Sequence, residues 1–225
     1  TLIDWETGIV EGFTPWLMDH GVDPNRDRVL AAFSHHETRV QSANPDMLYP
    51  QILEHVLRAA ATDFAIPCSD DAATRFGASV ADWPAFGDSA GALAYLKQHF
   101  KLVILSNIDR QSFASSNVQL GVDFDAIVTA QDVGSYKPDR RNFEALIDTM
   151  RDLGVEKSGI LHTAESLYHD HVPAKKMGLT TAWIKRSHGQ GEHGATASPQ
   201  EDVTPDFAFS TLGDMAMAHR AEADT

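Results

Sequence analysis

Cysteine is almost absent from this chain of 225 residues, where Cys68 stands alone. No disulfide can close within it, which fits a reducing compartment and an expected cytoplasmic location. The lone thiol reads as a small packing residue rather than a nucleophile. Positive charge is scarce too. Eighteen Lys and Arg face 32 Asp and Glu, for a net charge of −14, whereas a nucleic-acid backbone is gripped by clustered Lys and Arg. Nucleic acid is therefore excluded as a partner, and an anionic membrane surface would repel the chain. A single small anion stays open as a ligand, because a local positive site survives inside a negative field. Long apolar runs are lacking as well. Nothing approaches the roughly 18 residues that a membrane helix needs, and the first residues lack the basic-then-apolar order of a signal peptide.

What is present has the balance of a well-cored globular protein, 43% hydrophobic and 22% charged. Its texture changes near Pro84. Before it, "GIVEGFTPWLMDHG", "RDRVLAAFSHHETRVQ" and "MLYPQILEHVLRAAATDF" repeat apolar residues every three or four positions, with "DDAATRFGASV" a weaker case, which predicts helices and no strand. Pro15, Pro24, Pro45 and Pro67 punctuate this stretch. After it, "KLVILSNI" is a short continuous apolar run of the kind buried on both faces of a sheet. A helix "RQSFASSNVQLGV", a strand "FDAIVTAQDV", a helix "DRRNFEALIDTMRDLG", a strand "SGILHTAE", a short helix "HDHVPAKKMG" and a strand "TTAWIKR" follow. A polar Gly/His/Ser loop leads to "DFAFST" and a last helix. Strict strand–helix alternation predicts βαβ units, a doubly wound parallel α/β sheet with helices on both faces. The expected division is a core remnant at 1–8, a helical cap at 9–83 and a Rossmann-like core at 84–225.

Ligands of such sheets gather at the carboxyl ends of the strands. There the sequence supplies Ser106 and Asn107 after "LVIL", Lys137 shortly after "IVTA", and Glu165 and Asp170 after "ILHTA". A hydroxyl, an amide, a lysine and two acids on one edge suit an anion-handling hydrolytic site.

At these residues the sequence resembles the haloacid dehalogenase superfamily. "LVILSNID" is similar to its second motif, "VGSYKPD" to its third and "AESLYHDHVPAKKMG" to its fourth, in the right order. "TLIDWETG" followed by a helical cap resembles the type II 2-haloacid dehalogenase branch. The resemblance implies a first strand and a nucleophilic aspartate just ahead of Thr1. Asp4 is a poor substitute, with only "TLI" before it. The implied reaction is hydrolysis through a covalent aspartyl ester, most simply of a small anionic 2-haloacid, with no cofactor. Ser106 and Asn107 would hydrogen-bond the nucleophile or an oxyanion. Lys137 would neutralise the carboxylates, and Asp170 would orient Lys137 or the hydrolytic water.

The same resemblance exposes departures. Glu165 and Leu167 stand where the dehalogenases carry a serine and an asparagine, and Phe143 where they carry a tyrosine six residues after the lysine. Arg39, with Arg28 nearby, is the candidate to bind the substrate from the cap. Glu165 with Asp170 matches the acids that hold Mg²⁺ in metal-dependent phosphatases of the superfamily, so a phosphatase of small phosphate esters is the alternative enzyme. In the other reading Glu165 pairs with Lys137. A non-catalytic relict of the fold is the third reading, and a homodimer stays open. The pairs His169/His171 and His35/His36 suggest local polar networks rather than a metal site. His188 and His193 read as solvated. Trp5, Trp16, Tyr49 and Trp83 read as packing residues at helix starts and the cap–core junction.

Overall fold

A computed structural model of the chain describes residues 1–186 and 201–223. His188 and His193 lie outside the described residues. Four helices open the chain: α1 (Trp5–Asp19), α2 (Arg26–Ala43), α3 (Tyr49–Phe64) and α4 (Asp70–Ala78). Their amino ends are set by short polar side chains that accept main-chain N–H bonds, Asp4 for α1, Asn25 for α2 and Ser69 for α4. Helix α1 does not break at Pro15, as the punctuation suggested, but runs through it. One backbone bond is lost there, and burial of Phe13, Trp16 and Leu17 on the same helix outweighs it. Trp16 accordingly sits in the last turn of α1, not at a helix start, and its Nε1–H donates to the Pro67 carbonyl at 2.9 Å.

Beyond Pro84 come α5 (Ser89–Leu96), β1 (Val103–Ser106), α6 (Arg110–Leu120), β2 (Ala126–Thr129), α7 (Ala130–Val133), α8 (Arg140–Asp152), β3 (Leu161–Ala164), α9 (Val172–Lys176), β4 (Thr180–Ile184), β5 (Phe207–Phe209) and α10 (Leu212–Ala223). The second strand is shorter than "FDAIVTAQDV" suggested. Thr129 and Asp132 exchange main-chain and side-chain hydrogen bonds in a capping box that turns the chain into α7.

All strand pairs are parallel. β1 pairs with β2, and β4 lies between β3 and β5. Side chains alternate across β1: Leu102 and Ile104 pack into a large apolar cluster that includes the four opening helices, Val103 and Leu105 into a second one around Phe143, Leu146 and Met150 of α8. Helices thus cover both faces, the doubly wound α/β arrangement. Among the described residues, β1 and β3 are not hydrogen-bonded to each other. A cavity of about 430 Å³ is lined by both strands along their length and reaches Trp5, Glu6 and Glu37 of the opening helices. The first residues run along its edge, where Asp4 N donates to Pro84 O at 2.7 Å and Phe86 N to Leu2 O at 3.0 Å.

Candidate functional site

Three loops at the carboxyl ends of β1, β2 and β3 meet beside this cavity. Asn107, just after β1, accepts from Lys137 N at 2.6 Å through Oδ1 and donates from Nδ2 to Lys137 O at 3.0 Å. This two-way amide clamp fixes the lysine's backbone from thirty residues away. Asn107 therefore anchors Lys137, rather than presenting its whole amide to an oxyanion. The Lys137 ammonium donates to Leu105 O at 3.0 Å and to Asp170 Oδ1 at 2.7 Å, with both partners of that ion pair buried. Ser106 ends β1 on the cavity wall, and its hydroxyl has no hydrogen-bond partner among the described residues.

Asp170 sits in a single wide helical turn, Leu167–His171, that precedes α9. Burial alone would push its carboxyl up, but the Lys137 ammonium and a hydrogen bond from His162 outweigh burial and hold it well below the ordinary range. His162 of β3, unremarked in the sequence, brings Nε2 to 2.9 Å from the same Oδ1. Its signal was a single imidazole in the short strand Leu161–Ala164.

The buried ion pair of Lys137 is with Asp170, and Glu165 lines the cavity beside it. Its main chain is tied at both ends: Glu165 N donates to the Thr1 hydroxyl at 2.9 Å, and Trp183 Nε1 donates to Glu165 O at 2.9 Å. Thr1 is held in turn by buried Arg186, whose guanidinium donates twice to Thr1 O and also pairs with Asp88 at 2.6 Å. Neither Thr1 nor Arg186 stood out in the sequence.

Other candidates lie elsewhere. Arg39 is exposed on α2, 3.3 Å from His35, and does not line the cavity. Helical phase explains this correction, since residues two apart point about 200° apart, and it is Glu37 that faces inward. Arg28 donates to Asp63 O at 2.7 Å and lies over the Phe64 ring. Asp4 accepts from Thr7 N and Oγ1 as the cap of α1. The histidines form separate contacts: His36 with Asp63, His169 with Ser166, and His171 with the Ala164 carbonyl. Burial lowers the His169 imidazole to about 4 against the pull of Asp170, so it is neutral at pH 7. Burial also pushes the Cys68 thiol up. Of the two acids of the Mg²⁺ alternative, Asp170 holds the Lys137 ammonium through Oδ1 and Glu165 lines the cavity. Among the described residues, no three His, Cys, Asp or Glu side chains cluster as metal ligands do.

The (S)-2-haloacid dehalogenase of Pseudomonas sp. (strain YL) is 33% identical over 130 residues, 56% of this chain and 51% of the relative. The match thus spans about half of that relative's length. The L-2-haloacid dehalogenase of Xanthobacter autotrophicus, solved with chloropropionic acid covalently bound, is 16% identical, aligned over 98% of this chain and 94% of its own, with a TM-score of 0.79. The HAD-hydrolase YfnB of Bacillus subtilis, solved bound to magnesium, is 15% identical over 98% of this chain and 94% of its own, with a TM-score of 0.75. At such identities the structural likeness speaks for the fold. The family model described as haloacid dehalogenase-like hydrolase matches residues 1–184, from Thr1 to the end of β4, and the chain belongs to that family.

Proposed function

We propose that the protein hydrolyses a small 2-haloacid through a covalent aspartyl ester, without a metal. The observation that carries this reading is the buried Lys137–Asp170 pair at the mouth of the cleft, with the Ser106 hydroxyl, unpartnered among the described residues, on the same wall. In the first step a carboxylate attacks the halogen-bearing carbon, the carbon–halogen bond breaks and halide leaves. In the second, water adds to the ester carbonyl, the ester C–O bond breaks, and a 2-hydroxy acid leaves as the carboxylate is regenerated. Lys137 keeps the attacking carboxylate ionised, since an opposite charge within ~4–6 Å favours the charged form. Asp170 orients the ammonium and the hydrolytic water. Ser106 donates to the attacking carboxylate or to the oxyanion of the second step. The substrate is a small anion, and the protein works in the cytoplasm.

The attacking carboxylate is the aspartate that the family resemblance implies. The covalent adduct of the Xanthobacter enzyme and the identity with the Pseudomonas relative favour haloacids as substrates. The phosphatase reading keeps one supporting observation, a second acid, Glu165, on the cavity wall.

The test is an assay of the protein as its native reading frame encodes it, with (S)-2-chloropropionate and, separately, p-nitrophenyl phosphate. Chloride release that EDTA leaves unchanged is the expected result. Phosphate release that stops with EDTA would replace this reading by the phosphatase, and release of neither would leave the relict.

A further inference from the structure

We infer that His162 is a positioning residue of the site, which together with Lys137 fixes the plane of the Asp170 carboxylate. Two donors converge on one oxygen: Lys137 Nζ at 2.7 Å and His162 Nε2 at 2.9 Å, both on Oδ1. The other oxygen, Oδ2, has no hydrogen bond to a described residue, and it is not among the fully buried atoms left without a partner. Asp170 lines the cleft, so Oδ2 is the oxygen that the cleft reaches. A carboxylate held by one donor can swing about that bond. A second donor from a different direction removes the swing and leaves one oxygen aimed at whatever occupies the cleft.

The surroundings of His162 suit this task. The residue is buried in a rigid parallel strand, in register with Thr181 of β4. Phe143 of α8, itself fully buried, meets the imidazole at 5.4 Å between ring centres and an angle of 65°. An edge-on aromatic contact of this kind holds the imidazole plane. Phe143 carries no hydroxyl, so on this side of Asp170 the imidazole is the polar group. A buried ring nitrogen without a partner would be costly, and here the partner is eight residues along, delivered by the wide turn before α9. The contact needs a proton on Nε2 and holds in the neutral and the charged ring alike, so it does not depend on a titration. Asp170 orients water and ammonium; His162 orients Asp170.

This inference rests on the hydrolase reading for its kinetic consequence but not for its structural one, and the experiment separates the two. In the ¹⁵N-labelled chain of residues 1–225, a long-range imidazole correlation spectrum should show His162 with Nε2 protonated. An unprotonated Nε2 would overturn the proposal whatever the enzyme does. In the natively encoded protein, His162→Leu should lower kcat by about 10²-fold, the scale of a misplaced catalytic group, and change KM by less than about twofold. His162→Gln, which can return an N–H donor, should recover at least part of the loss. Equal kcat in wild type and His162→Leu would overturn the proposal while leaving the hydrolase reading standing. Should His162→Leu fail to fold, the glutamine variant and the spectrum still decide the matter: a glutamine variant with a raised KM and an unchanged kcat counts against positioning.

Discussion

Glu37 offers a test that needs no substrate. It lies on the inward face of α2, 3% exposed, and its Oε1 accepts from the Tyr49 hydroxyl at 2.8 Å and from Gln41 Nε2 at 3.0 Å. Burial raises its carboxyl from an ordinary 4.5 to about 7, although both hydrogen bonds pull it back down. The folded protein therefore keeps a proton through the window from 4.5 to about 7 that the unfolded chain has released. Stability from this group is complete below pH 4.5 and is lost as pH rises through 7. At 1.36 kcal/mol per unit, the whole effect is about 3 kcal/mol, most of it between pH 5 and pH 8. Glu37→Gln removes the titration and keeps a carbonyl for Tyr49, whose own hydroxyl is held protonated by burial and by Glu37. Urea unfolding followed by tryptophan fluorescence at pH 5, 6, 7 and 8 gives the stability of each chain. Relative to wild type, the variant should gain about 2–3 kcal/mol across this range. Parallel stability curves, with a difference that drifts by less than about 0.5 kcal/mol, would refute the buried-acid argument.

Two further outcomes follow from side-chain geometry. Lys137→Ala should lower turnover of the natively encoded enzyme by orders of magnitude and, by leaving the buried Asp170 without its ammonium and with His162 alone as donor, cost about 3–5 kcal/mol in urea unfolding; near-normal rates would remove the mechanism proposed above. Gly8→Ala would put a Cβ 2.3 Å from the Trp83 ring, where α1 meets the segment leading to α5. Thermal unfolding should show a loss of about 1–3 kcal/mol from overpacking, larger than the ~1 kcal/mol of helix propensity gained, and an unchanged Tm would mean that Trp83 moves aside freely.

What could be read from the sequence and what could not divide along physical lines. Topology was legible because apolar runs alternating with helical patterns admit few arrangements, and β1–β2 and β3–β4 pair in parallel as that alternation requires. Lys137, Asp170, Ser106 and Asn107 were legible for a related reason, since topology carries the loops after the strands to one edge whatever their side chains do. Contacts that depend on rotation were not legible from strand ends alone. On α2 the inward stripe of Leu30 and Phe33 continues to Glu37 and Gln41, all buried, so the phase that excludes Arg39 was present in the spacing. A stripe of that kind that turns polar is a signal for buried acid chemistry rather than for a cationic binding residue. His162 needed more, because alternation in a strand says only which face a side chain takes, and the partner comes from a turn that the sequence does not announce. The same limit applies to the choice between two acids for one ammonium. Glu165 and Asp170 follow the same strand, and only the wide turn between Leu167 and His171 decides that Asp170 swings back over Lys137 while the Glu165 main chain is left to hold Thr1. The electrostatics then follow from the geometry: one acid is fixed as an anion by a buried lysine, and the other is anchored through its backbone at the end of the cleft.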